Sequence, residues 1–175
     1  IQGRLMRSQK INVSKIVDWK TASKTQSILV KHMSGVFNNI NDAAHFLLHT
    51  VEGNEPININ CVLCVGHAGE AWQMSTDRLE SAYKFNELID QSGWHGYSPR
   101  PESFVYTAEV TYDLSDLHNS FYIIGKYGER NLTTGEDNCQ YGTPGDMICR
   151  SSTDPTDVWV VNRKIFDATY TFGGV

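Results

Sequence analysis

Residues 72–85 read WQMSTDRLESAYKF, and residues 159–172 read WVVNRKIFDATYTF. Without a gap, both stretches fit the pattern W-x-x-[SN]-x-x-x-[LF]-[ED]-x-x-Y-x-F. Ser75 and Asn162 suit a helix N-cap, because a side-chain oxygen there accepts a hydrogen bond from a free amide of the first turn. An internal repeat of this kind predicts two related units within one chain. We expect its Trp and Tyr positions to be packing residues, since aromatic side chains bury large apolar areas.

The residues around each motif predict strands. Residues 57–65 and 70–74 flank a glycine turn before the first motif, and residues 147–150 and 158–161 precede the second. Further strands are predicted at 11–20, 27–33, 104–112 and 121–124, with a turn at 125–128, a returning strand at 130–134 and a helix at 39–49. We therefore expect an α+β, β-rich fold of two related units, each a small antiparallel sheet or half-barrel with a short helix.

Composition divides the chain into a basic N-terminal arm at 1–10, a first unit at 11–89, a linker at 90–102 and a second unit at 103–175. The linker carries the densest cluster of Gly and Pro breakers. Residues 1–24 hold six basic side chains against Asp18, a net charge of +5 within a chain of net charge -5. A basic arm can contact an acidic partner, a nucleic-acid backbone or a neighbouring copy, and the alternative is a solvated terminus. The arm's predicted partner-binding residues are Arg4, Arg7 and Lys10.

Composition also limits the classes of protein to which the chain can belong. With 175 residues and 40% hydrophobic content, the chain is expected to fold around a core. No run of 18 apolar residues is present, so no membrane contact is predicted. Four cysteines without a visible secretory signal favour reduced thiols in a cytosol.

Cys and His residues occur twice in the first unit at spacings that are typical of metal ligands. Cys61, Cys64 and His67 form C-x-x-C-x-x-H, a set of ligands that suits zinc. The run around the cysteines is strand-like, and residues three apart in a strand point to opposite faces, which favours packing. His45 and His49 lie four apart on the predicted helix, but the glutamate of the metalloprotease motif is missing. No metal and no cofactor is therefore predicted.

Two further sets of residues are candidates for chemistry or binding. Cys139 would need a base such as His118 or His95 to act as a nucleophile, and the sequence supplies no geometry for that pairing. The linker residues are the predicted ligand-binding set, because loops carry function and aromatic rings stack on bases or nucleotide rings. That set is Trp94, His95, Tyr97 and Arg100. The alternative is that these rings pin the two units together.

The second unit carries PGDMI at 144–148, VW at 158–159, IFDATY at 165–170 and EVTY at 109–112. In these motifs, residues 104–172 resemble a small domain that is common in bacteriophage proteins of unknown function. The first unit shares only the repeated motif and Val17-Asp18-Trp19, and it lacks the Pro-Gly-Asp turn. The resemblance implies a phage origin and brings no catalytic residues with it.

These observations favour a non-enzymatic phage accessory or host-interaction protein of the host cytoplasm. It would bind a host protein, or sequester a small nucleotide-like ligand, as a homo-oligomer. One alternative is a virion component, such as a decoration or tail-associated protein that contacts a neighbouring phage protein. A second alternative is a small nucleotide-acting enzyme with its site near His95 and His118.

Overall fold

A computed structural model describes residues 8–50, 53–111 and 120–173. These residues form a β-rich protein of several antiparallel sheets with few, short helices. The strands, in chain order, are β1 (Ser8–Lys10), β2 (Lys20–Lys24), β3 (Ile28–His32), β4 (Leu47–Thr50), β5 (Gly53–Pro56), β6 (Val62–Val65), β7 (Ala71–Met74), β8 (Tyr83–Leu88), β9 (His95–Pro99), β10 (Val105–Glu109), β11 (Ser120–Glu129), β12 (Cys139–Gly142), β13 (Met147–Ser151), β14 (Val158–Val161) and β15 (Tyr170–Phe172). The helices are α1 (Met33–Val36), α2 (Ile40–Ala43), α3 (Thr76–Ala82) and α4 (Arg163–Thr169).

Two five-stranded sheets form the framework. The N-sheet has the strand order β7-β6-β3-β9-β8, and the C-sheet has the order β14-β13-β10-β2-β15. In each sheet a hairpin at one edge leads through a capped seven-residue helix to the strand at the other edge. The registers also correspond, since Cys64 lies opposite Trp72 in the N-sheet as Cys149 lies opposite Trp159 in the C-sheet.

The chain route differs between the two sheets. The N-sheet is built from one continuous segment, residues 28–99. The C-sheet takes four strands from residues 105–172, but its strand between β10 and β15 is β2, from residues 20–24. The segment 90–102, expected to be a linker, contains β9, which pairs with both β3 and β8 inside the N-sheet.

The two repeated helices pack on their sheets through the residues that the repeat marks. Leu79 of α3 and Tyr83 are 2% and 1% exposed, and both belong to the core cluster of the N-sheet. Phe166 of α4 stacks on Tyr170 with ring centroids 4.7 Å apart in the core of the C-sheet. The predicted caps are confirmed, because Ser75 accepts a hydrogen bond from the Arg78 amide at 3.2 Å and Asn162 from the Lys164 amide at 3.0 Å.

The Pro-Gly-Asp turn ties the β13–β14 hairpin to the start of α4. Gly145 has a φ of +99°, a conformation that glycine adopts without steric cost. The Asp146 carboxylate accepts hydrogen bonds from the Thr143 amide and from the Arg163 amide, both at 3.0 Å. The motif therefore fixes a turn and supplies an acceptor at the helix N-terminus.

Several predicted elements are wrong, each for a tertiary reason. The strand predicted at 11–20 is a single 3-10 turn, Val13–Lys15, followed by β2, because the apolar residues of this stretch pack on the core cluster that contains Phe121 and Ile148. The helix predicted at 39–49 ends at Ala43, and β4 follows it.

The turn predicted at 125–128 lies within β11, where Gly128 has a φ of +149° and a Cβ atom would meet the Cys139 carbonyl oxygen at 2.3 Å. The predicted returning strand at 130–134 is instead a turn region, and β12 pairs with β11.

The described part of the predicted arm is ordered against the body of the protein. β1 pairs in parallel with β11, and the Lys10 ammonium lies 2.5 Å from a Glu136 carboxylate oxygen. Arg4 and Arg7 lie outside the described residues. Within the described ranges, no helix combines the length and apolar character needed to cross a membrane.

Candidate ligand cavity

A cavity of about 170 Å³ is lined by residues of both sheets. A single water needs about 10–15 Å³ measured in this way, so the cavity has room for a small organic molecule. Its wall includes the Trp and Tyr residues that both copies of the repeat share, Trp72, Tyr83, Trp159 and Tyr170. These residues were expected to be framework, and the structure shows that they pack and also form the wall of a cavity.

Lys24, at the end of β2, places its ammonium group among these rings. The nitrogen lies 4.4 Å from the Trp72 ring centroid, 5.3 Å from that of Tyr83 and 5.5 Å from that of Tyr170. Among the described residues, this ammonium makes no ion pair and no hydrogen bond. Burial lowers the pKa of Lys24 to about 8, and the positive charge of Arg78 acts in the same direction. The cavity therefore contains a cation whose contacts are aromatic faces.

Arg78 connects the two sheets at the cavity wall. It belongs to α3 on the N-sheet, yet its guanidinium lies 4.2 Å from the ring centroid of Trp159 in the C-sheet. It also forms an ion pair with Asp157, the residue that precedes β14. The Asp157 carboxylate is almost fully buried, so Arg78 neutralises a charge that would be costly to leave unpaired.

Another feature of the cavity wall is the hydroxyl group of Tyr83, one of the two tyrosines of the repeat. The Tyr83 hydroxyl is buried and has no hydrogen-bond partner in the described part of the chain. A buried tyrosine hydroxyl normally finds a partner, and leaving it without one costs about 1–3 kcal/mol. Burial raises the pKa of Tyr83 far above its ordinary value, so the group stays a neutral donor.

Charge is distributed unevenly around the cavity. Lys24 lies opposite Tyr170 in the C-sheet, and the corresponding position opposite Tyr83 in the N-sheet is Pro99. Both residues line the cavity. The matched positions therefore carry a cation in one sheet and an apolar residue in the other, within a wall that also holds the Glu55, Glu70 and Asp157 carboxylates.

Fixed polar groups line another part of the wall. The Gln140 amide donates to the Tyr127 carbonyl at 2.8 Å and accepts from the Val160 amide at 3.0 Å, so its position is set on both sides. Glu55 is 6% exposed. Burial raises its pKa to about 7, and a hydrogen bond with Gln73 opposes that shift only in part.

The ligand-binding residues predicted from the sequence lie on or beside β9. The rings of His95 and Tyr97 lie 5.7 Å and 5.8 Å from Phe85 in edge contacts. The Lys31 ammonium lies 5.8 Å from the Trp94 ring centroid, and the Arg100 side chain donates to the Glu80 carbonyl at 2.7 Å. None of these four predicted residues lines the cavity, although Pro99 does. The predictions missed Lys24, because no local pattern marks a lysine at the end of a polar strand as a cavity residue.

The cysteine and histidine patterns do not converge. Cys64 packs in the N-sheet core, whereas His67 lies in the turn that follows β6. His49 lies on β4, where its Nδ1 is 2.5 Å from the Asn54 side-chain oxygen, so His45 and His49 do not share a helix. Within the described ranges, no group of three His, Cys, Asp or Glu side chains is arranged to hold a metal ion. Burial raises the pKa of Cys139, and His118 lies outside the described residues.

Comparison of the chain with protein-family models, with curated proteins and with solved structures gives no match. The resemblance to a phage domain therefore stays a prediction.

Proposed function

We propose that this protein binds and retains a small anionic ligand with an apolar or ring-shaped body in the cavity between its two sheets. The role is non-enzymatic, so the ligand is sequestered without turnover. A nucleotide-like molecule fits this description, since it combines a negative charge with a ring that stacks on Trp or Tyr.

The observation that carries the proposal is the environment of Lys24. Its ammonium lines the cavity without forming an ion pair in the described residues, and burial disfavours its charge more than the Glu70 carboxylate of the same wall favours it. An anion entering the cavity would supply the missing partner. The free Tyr83 hydroxyl lies in the wall of the same cavity and could hydrogen-bond to the same ligand. A ligand that satisfies both groups recovers free energy that the empty protein lacks.

We also propose that the two sheets are related copies of one unit. Equivalent placement of the edge hairpin, equivalent placement of the capped helix and matching registers at Trp72 and Trp159 support this relation. A duplicated unit accounts for a cavity walled by the same aromatic positions twice. The two cations would then be additions to different copies, since Lys24 lies in the C-sheet and Arg78 belongs to α3 on the N-sheet.

The biological setting that we propose is a phage accessory protein that acts in the host cytoplasm. A host protein or a second copy of this chain is a further candidate partner, because Ile40, Phe46 and Leu47 expose 57–66% of their surface. The alternative setting is a virion component that contacts a neighbouring phage protein.

The test compares ligand retention by the wild type, Lys24→Met and Lys20→Met. Lys20 lies on the same strand but outside the cavity wall, so its substitution is a matched loss of charge. Native mass spectrometry would reveal a retained mass, and calorimetry with nucleoside monophosphates and benzoate would give affinities. We expect Lys24→Met to weaken binding about tenfold or more, because a charged hydrogen bond contributes about 1.5–3 kcal/mol. Equal affinities for the two variants would contradict the proposal.

A further inference from the structure

We propose that Lys24 captures the carbonyl group of a small anionic aldehyde or ketone as an imine. This inference rests on the proposed function, because the carbonyl compound must first enter the same cavity. It assigns a covalent binding site to a side chain that the sequence did not single out. The ligand class narrows accordingly to anionic carbonyl compounds, among which ring-bearing ones fit the aromatic wall.

The surroundings of Lys24 favour the neutral, nucleophilic amine. The rings of Trp72, Tyr83 and Tyr170 surround the nitrogen, and no carboxylate in the described residues forms an ion pair with it. The Glu70 carboxylate in the same wall opposes the fall in its pKa, but burial outweighs that effect. Arg78, a second cation in the same wall, disfavours another positive charge. Desolvation and a neighbouring cation are the two features that activate lysine for imine formation.

The pKa of about 8 that burial gives Lys24 determines what fraction of this side chain is neutral and reactive at a given pH. At pH 7.5, roughly a quarter of such lysines are neutral, against about 0.1% for a lysine of ordinary pKa. The reactive fraction of Lys24 therefore exceeds that of a solvated lysine by a few hundredfold.

The reaction balances without any further reagent. The Lys24 nitrogen forms a bond to the carbonyl carbon, and the proton that the nitrogen loses moves to the carbonyl oxygen, giving a carbinolamine. Loss of that hydroxyl group with the second nitrogen proton releases one water and leaves the C=N bond. The neutral Tyr83 hydroxyl, which has no partner in the described part of the chain, can donate to the carbonyl oxygen.

The Lys24 ammonium, the predominant form at pH 7.5, attracts an anionic carbonyl compound into the cavity before the neutral amine reacts. Asp157 already neutralises the charge of Arg78, so the preference for an anion comes from Lys24. The rings of Trp72 and Trp159 cover the body of the ligand. A neutral aldehyde of the same size should react more slowly, since it lacks the attraction that concentrates an anion at the site.

The experiment uses pyridoxal 5′-phosphate, an anionic aromatic aldehyde, at pH 7.5 with cyanoborohydride to reduce any imine. Peptide mapping by mass spectrometry then gives the modified fraction at each lysine. We expect Lys24 to be modified at least about tenfold faster than Lys20, and its labelling rate to rise through pH 8 toward a plateau at about pH 9. Lys24→Arg should abolish that label, whereas Lys20→Arg should leave it unchanged.

The outcomes separate the two proposals. Labelling of Lys24 in the wild type supports imine formation, and this result does not depend on whether any variant folds. Retention of the probe in native mass spectrometry, with Lys24 labelled no faster than Lys20, overturns the imine and leaves reversible binding intact. If neither pyridoxal 5′-phosphate nor the smaller glyoxylate is retained or attached, and the nucleotides and benzoate also fail to bind, both proposals are wrong.

Discussion

Lys24 is a residue at which binding and stability should oppose each other. Its folded-state pKa of about 8 lies below the ordinary value of 10.5, so the folded protein binds fewer protons than the unfolded chain between those values. The stability cost of holding this charge is fully present below pH 8 and is relieved as the pH rises through 8 toward 10.5. Functional sites commonly show such a trade-off.

We therefore expect Lys24→Met to melt at a higher temperature than the wild type at pH 7. The difference should shrink by pH 10, because the wild-type lysine has by then lost its proton. Scanning fluorimetry at both pH values, with Lys20→Met as the control, measures it. A lower melting temperature for Lys24→Met at pH 7 would show that its aromatic contacts outweigh the cost of burial.

At the scale of elements, the capped helix is the part of the fold that depends most on residues adjacent in the sequence. α3 has seven residues, so one satisfied amide is a large share of its terminal hydrogen bonds. We expect Ser75→Ala to lower the free energy of unfolding by about 1 kcal/mol, within a range of about 0.5–2. Thr76→Ala, one residue further and exposed, should change it by less than about 0.5 kcal/mol.

Urea unfolding of the two variants would check this prediction. Asn162→Ala at the start of α4 should behave like Ser75→Ala, since its side chain accepts from the Lys164 amide. Equal midpoints for Ser75→Ala and Thr76→Ala would mean that the tertiary packing of Leu79, and not the cap, fixes where α3 begins.

The elements also show which parts of the structure the sequence can predict. The strand, cap and helix of each repeat were predicted because caps and apolar periodicity are local signals, whereas β8 and β15, which follow the helices, were not predicted. β9 was missed because its Gly and Pro residues indicate a loop, although pairing on both sides holds it in the N-sheet. The cavity was missed for a similar reason, since Lys24 of the C-sheet meets Trp72 and Tyr83 of the N-sheet only through long-range packing.

At the scale of the whole molecule, the chain enters the C-sheet, completes the N-sheet and returns to the C-sheet. The Arg78–Asp157 ion pair and the shared cavity add contacts between the two. We expect Leu79→Ala in the N-sheet to destabilise the protein by about 2–5 kcal/mol and to raise hydrogen exchange in β14 as much as in β6. If exchange in β14 stayed unchanged, the sheets would be independent folding units.

The position of β2 has a consequence for synthesis. Residues 20–24 leave the ribosome early, but their partner in β15 is made about 146 residues later. At about 5–20 residues per second, the strand waits on the order of ten seconds for that partner. The same strand carries Lys24, so the cation that we assign to binding is set in place by a pairing that forms late in synthesis. A nascent chain that has not yet reached β15 would lack a working site, and ligand capture would begin only after that strand has been made.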